Sequence, residues 1–287
     1  MDALTWEHRP NLRRPVLVAA FEGWADAGDA ASTAAGYLAE TWGARRFASI
    51  DPEEFYDFTS TRPQVRLDEG MTRHIDWPAN ELSAASVPAS PHDVVFLQGV
   101  EPQLKWRTFS SLIGEVVTEL SIELVISLGA LLTDTPHTRP VRVTGTGTDP
   151  ELIARLGLVR SRYEGPTGIV GVLHDSLARK GIPSASLWAN VPHYVERTPS
   201  PKAALALVRK ASDLLGAHVE ALDLQIAASS YERQVSEVVA TDDDVAEYVR
   251  RLEAGLGDDD DDDRPELQEG DALAAEVERF LREQGGT

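Results

Sequence analysis

The chain has no cysteine in 287 residues, which excludes disulfides, a thiol nucleophile and any cysteine-ligated metal. Long apolar runs are also missing, none approaching the roughly 18–20 residues that span a bilayer. The opening residues, MDALTWEHRPNLRRP, lack the apolar centre of a secretory signal. A cytoplasmic protein without a membrane partner is therefore expected. Positive charge is scarce: 27 Lys and Arg stand against 47 Asp and Glu, for a net charge of −20. Residues 242–287 hold 17 acids and 5 bases, so they carry −12 and leave −8 for residues 1–241. Neither part offers the basic footprint that nucleic acid or an anionic membrane needs.

What is present is an alternation of apolar runs and amphipathic stretches, with 42% hydrophobic residues, ordinary for a globular chain. PVLVAAF (15–21), DVVFLQG (93–99), ELVISLGAL (123–131), PVRVTG (140–145) and SASLWANV (184–191) read as strands. Between them, Ala31, Ala34, Ala35, Leu38 and Trp42 share one helical face that Gly43 ends. A second helix, expected from Pro102, turns Phe109, Leu112, Ile113, Val116, Val117 and Leu120 inward. A third starts behind Thr167 as cap, and a fourth starts at Ser200-Pro201 and stops at Gly216. Residues 53–77 differ: FYDF, and PQVRL and MTRHIDW around the turn DEG, suggest short antiparallel strands.

The pattern predicts an α/β fold in three layers with a mostly parallel sheet over residues 1–216. A helical extension packed on it (217–256) follows. Residues 257–266, with six consecutive aspartates, read as a disordered acidic linker. The stripe Leu273, Val277, Phe280 and Leu281 then marks an amphipathic helix within 267–284. A lone helix of that length is marginal in water, so it is expected to dock on the body or on a neighbouring subunit.

Candidate chemistry gathers in loops that follow strands. In FEGWADAGDAAS, Asp26 suits a helix cap with Asp29 in the acidic position of a capping box. Glu22, Asp26 and Asp29 repel a phosphate, and no lysine completes a phosphate loop. Two readings stay open there, a structural cap and turn or a site for a polar ligand or cation. GTGTDP (145–150) lacks the rest of a dinucleotide fingerprint and reads as a turn. Further loops supply Glu101, Lys105, Arg107, Asp134, His137, Arg139, Asn190, His193 and Tyr194. Asp134 and His137 form either a base with its orienting carboxylate, two thirds of a metal site, or a locally bonded turn. No G-x-S-x-G elbow or H-x-x-x-H spacing occurs. No catalytic residue, metal or cofactor is assigned.

FEGWADAGDAA, FLQGVEPQLKW, GALLTDTPHTRPVRVTG, SRYEGPTGIVGVL and SLWANVPHYV followed by SPKAALAL occur in an order that closely resembles the proteasome assembly chaperone family, in its actinobacterial branch. The likeness runs from about Val16 to Leu252. It implies a fold similar to the nucleoside-phosphorylase and hydrolase-like fold, and self-association, with a trimer as the first expectation. Eukaryotic and archaeal members are assembly chaperones, whereas this branch has no settled activity, and no catalytic residue carries over. Some chaperone relatives end in a hydrophobic–tyrosine–any-residue tail that docks on the proteasome α-ring. This chain ends REQGGT, so docking by that route is not expected. The expected function is a non-enzymatic interaction or assembly-chaperone-like protein. The alternative is a small-molecule enzyme using His137 or His193 as acid/base and Arg139 or Lys105 for an anionic group.

Overall fold

Alternate residues of the first long strand divide the interior in two. The computed structural model describes residues 3–68, 72–148, 150–158, 165–195 and 198–255. In strand β2 (Val16–Glu22), which follows the short β1 (Leu4–Trp6), Val16, Val18 and Ala20 enter one apolar cluster. Leu17, Ala19 and Phe21 enter the other. A continuous apolar run is what a strand covered on both faces requires.

The remaining elements in chain order are α1 (Ala30–Thr41), β3 (Arg45–Ile50), β4 (Gln64–Asp68), β5 (Thr72–Asp76), β6 (Asn80–Ala85), β7 (Val94–Val100), α2 (Trp106–Glu119), β8 (Leu124–Thr133) and β9 (Val143–Gly147). They continue with α3 (Pro150–Leu156), α4 (Ile169–Arg179), β10 (Ser184–Pro192), α5 (Pro201–Leu215), α6 (Leu222–Val239) and α7 (Asp243–Gly255). Eight strands form one sheet in the order β1-β3-β6-β7-β2-β8-β10-β9. Its centre is parallel, since β7 and β8 both run with β2 and β10 runs with β8. Its flanks are antiparallel, at β1–β3, β3–β6, β6–β7 and β9–β10. The connection β7–α2–β8 crosses over β2, the strand–helix–strand unit that the sequence predicts.

Helices α1 and α5 cover one face and α2 and α4 the other, completing three layers. The α1 face is built from Ala30, Ala31, Ala34 and Ala35, all fully buried, so the helix lies close on the sheet. Helix α6 packs on α5, and α7 folds back on α6 around Tyr231, Val235, Val239 and Val249. No helix among the described residues is long and apolar enough to cross a membrane.

Several boundaries differ from expectation for local reasons. Helix α2 starts at Trp106, because the amides of Gln103 and Leu104 bond instead to the Phe55 carbonyl (2.9 and 3.0 Å). FYDF forms no strand. Asp51 accepts from the Glu53 amide and Pro52 begins a short 3₁₀ turn, which leaves Phe55 and Tyr56 as buried anchors. PQVRL and MTRHIDW do pair, as β4 and β5, in a separate two-stranded arm. Gly99 is required by a close approach, since a Cβ there would lie 1.9 Å from the Ala79 carbonyl oxygen. The acidic linker and the last amphipathic helix fall outside the described residues.

Candidate functional site

The parallel strands β7, β2, β8 and β10 end at one pole of the sheet, where an open α/β fold places ligands. Of the twelve sequence candidates, Arg107 falls in the first turn of α2 and Asn190 within β10. The structure sorts the other ten, at the strand ends and in the loops that leave this pole, into two groups and one outlier.

The first group is acidic. Asp26 is 5% exposed, and its Oδ1 accepts from the amides of Ala31 (2.6 Å) and Ser32 (3.2 Å) in the first turn of α1. It caps the helix, although through later amides than a regular cap uses. The chain reaches that position because Gly28 and Asp29 both take left-handed backbone, with φ of 59° and 50°. Asp29 therefore points no carboxylate back at the turn, and the expected capping box does not form. The other Asp26 oxygen is buried without a partner. Burial, more than it is offset by the cap bonds, pushes the Asp26 carboxyl above its usual range.

Glu22, the last residue of β2, is likewise pushed up, first by lost hydration and then by Asp26 and Asp29. Glu101 leaves β7 beside it, its amide bonded to the Glu22 carbonyl (2.8 Å). Glu101 Oε1 accepts from the Ile169 amide (2.8 Å). Glu101 thus caps α4, the role the sequence suggests for Thr167. Beneath, Tyr56 donates to the Val100 carbonyl (2.6 Å) and Asn80 donates to both. Trp24, 56% exposed, stands over this group against Gly168. Lys105 lies outside the group, paired with Glu54 at 3.0 Å.

The second group is a closed network. His137 is 3% exposed. Its backbone amide donates to the Tyr194 hydroxyl (2.8 Å), which in turn donates to His137 Nδ1 (2.8 Å). Nε2 then donates to Ser236 Oγ (2.9 Å), whose own proton goes to the Glu232 carbonyl (2.8 Å). Every proton has one place, so the neutral Nε2–H imidazole is assigned by its partners. Burial first, and then Lys202, holds the His137 pKa below the usual histidine range. Lys202 bonds the His137 carbonyl and Glu232 together. Burial raises the Tyr194 hydroxyl to about 12.

Asp134 accepts from the Tyr248 hydroxyl of α7 (2.9 Å) and lies 3.1 Å from His193 Nδ1. Arg139 donates to the Glu253 carbonyl (3.2 Å) and Thr138 to the Glu253 carboxylate. The candidates of the β8 and β10 loops are thus brought together, but onto α6 and α7 rather than around an open cleft. Sequence reasoning missed those helical partners, Lys202, Glu232, Ser236, Tyr248 and Glu253. They occur singly on helices and carry no spacing signal. It also missed His174 on α4, which bridges Ser127 Oγ (2.7 Å) and Ser184 Oγ (2.8 Å). The available signal was two serines in otherwise apolar strands. Among the described residues, no group of three or more His, Asp or Glu is arranged to hold a metal ion.

Comparisons with known proteins agree on this architecture. None of the curated proteins matches. Among solved structures, a PAC2 family protein from Streptomyces avermitilis is 47% identical with a TM-score of 0.77, covering 82% of this chain and 99% of its own. A proteasome-assembly chaperone homologue from Mycobacterium tuberculosis is 46% identical with a TM-score of 0.75, covering 82% of this chain and 99% of its own. An archaeal proteasome activator from Pyrococcus furiosus shares the fold at 18% identity, with a TM-score of 0.67 over 82% of this chain and 97% of its own. The PAC2 family model matches residues 20–239, and the chain belongs to the PAC2 family.

Proposed function

We propose that this protein is a non-enzymatic, self-associating, assembly-chaperone-like module that acts in the cytoplasm through protein contacts. One observation carries the reading most: the best-placed acid/base candidate, His137, has both ring nitrogens engaged beneath α6 and α7. A general base needs a free lone pair within reach of substrate, and Nδ1 already accepts from Tyr194. Ser236 of α6 and Tyr194 occupy its two ring nitrogens. A space of about 430 Å³ lies away from His137, between the end of α5 and the start of α6, lined by Arg209, Asp213, His218, Leu222 and Gln225. A nucleoside-phosphorylase-like enzyme would bring an Arg or Lys and a histidine to one concave site. Here Arg139 is held by α7 and Lys105 by Glu54. The Mycobacterium tuberculosis relative named as a proteasome-assembly chaperone homologue makes free proteasome subunits the first protein partners to try.

The reading is checked by thermal shift with a panel of nucleosides, inorganic phosphate and simple esters. No ligand is expected to move the Tm. A saturable shift that His193→Ala abolishes would favour the enzyme reading over this one.

A further inference from the structure

The β4–β5 arm has one face at odds with its surroundings. Val65 pairs with Ile75, and Leu67 with Arg73, across the two strands. Successive side chains alternate in a strand, so these four residues share a face. Val65, Leu67 and Ile75 are 54–60% exposed. Trp77, two residues on and packed on the Phe58 ring, is 48% exposed. The opposite face is polar and pairs its own charges, with Arg66 3.1 Å from Asp76. Arg73 alone charges the apolar face, and among the described residues it has no ion pair. A two-stranded sheet is marginal without something packed on it, which makes an uncovered apolar face an interaction surface.

A surface of the opposite character lies at the sheet's carboxyl pole. Trp24, Leu104 and Leu132 are 56%, 46% and 42% exposed there, in the loops and strand end that follow β2, β7 and within β8. Beside them stand Glu22 and Glu101, neither ion-paired among the described residues. The nearby Lys105 is occupied by Glu54. Among the described residues, the rim therefore combines apolar side chains with carboxylates that have no ion pair, and the apolar face of the arm carries one guanidinium that has none. The arm roots at this same pole, because β6, which follows it, begins at Asn80 opposite Gly99 near the end of β7.

We propose that the β4–β5 arm of one copy lies on the Trp24–Leu104 rim of a second copy, placing Arg73 beside Glu22 and Glu101. Trp24 then covers the arm's aliphatic residues, and its ring face also suits a guanidinium. Arm and rim share a pole, so two copies facing each other exchange arms reciprocally, the isologous arrangement a two-fold axis allows. The contact deepens the self-association part of the function proposed above and rests on it.

The absence of cysteine makes the test direct. Arg73→Cys and Leu104→Cys are made as separate full-length proteins of different tag length, mixed, and treated with a short bis-maleimide. A covalent species containing one chain of each is expected, and Arg179→Cys, on the far end of α4, should not link to Arg73→Cys. Arg73→Glu should lower the sedimenting mass of the otherwise cysteine-free protein. A protein that sediments as an oligomer but gives no mixed cross-link overturns this contact while leaving self-association standing. A doubly substituted Arg73→Cys/Leu104→Cys chain that links only within itself, or a 31.3 kDa monomer at every concentration, also overturns it, and the monomer removes self-association as well.

Discussion

Asp93→Ala should lower stability by about 3 kcal/mol, with a Tm drop of roughly 5–10 °C for a domain of this size. Asp93, the residue before β7, is 2% exposed and gathers five donors. Oδ2 accepts from the Arg13 amide (2.8 Å) and Arg13 Nε (3.4 Å), and Oδ1 from Arg13 Nη2 (2.8 Å), the Val87 amide (3.2 Å) and Ser86 Oγ (3.2 Å). Burial pushes the carboxyl up, yet the bonds from Arg13, Val87 and Ser86 together hold it below the usual carboxylate range. The guanidinium is about half exposed and returns to water when Asp93 is lost. The backbone donors have no such exit, and an unmet buried amide costs about 1–3 kcal/mol. Asp93→Asn keeps one acceptor oxygen and should lose about half as much. Urea midpoints of the two variants check this. An Asp93→Ala loss under about 1 kcal/mol would mean that the N-terminal segment is not anchored through this residue.

Acid should unfold the protein partly through His174. Burial depresses this imidazole from 6.5 to about 4, while both nitrogens are taken by Ser127 and Ser184. The unfolded chain therefore binds this proton first. The stabilisation is fully present above about pH 6.5 and is lost as pH falls toward 4, amounting to about 2–3 kcal/mol by pH 4.5. His137, also depressed, adds in the same direction. His174→Gln removes the titration while retaining a donor and an acceptor. Between pH 7 and 4.5 its stability should fall by about 2–3 kcal/mol less than that of the unmodified protein. Equal losses in the two proteins would show that His174 does not carry the proton.

The layered fold was legible because burial writes itself into local pattern. A strand covered on both faces must be apolar throughout, as Val16–Phe21 is, and a helix on a sheet must repeat small or apolar residues, as Ala30 to Leu38 do. Stops were legible where the backbone demands glycine, as at Gly216, whose φ is 63°. Strand order and the antiparallel flanks were not, since pairing partners are chosen by contacts distant in sequence. The candidate residues were legible as loop positions but not as roles. Nothing near His137 announces that Tyr194, 57 positions away, and Ser236, 99 positions away, complete its bonds. The same holds for Glu101, whose carboxylate caps a helix that begins 68 positions later. The apolar face of the arm was visible as alternation in PQVRL, but its exposure was not, because alternation alone does not say which face is covered.

Under the proposed function, this PAC2 family protein binds protein rather than transforming a small molecule. Isothermal titration of the full-length chain with isolated proteasome α-subunits tests it most directly. Saturable binding in the micromolar range or tighter is predicted, weakened by added salt because the acidic rim contributes. Absence of any heat or co-migration at about ten times that concentration would contradict it.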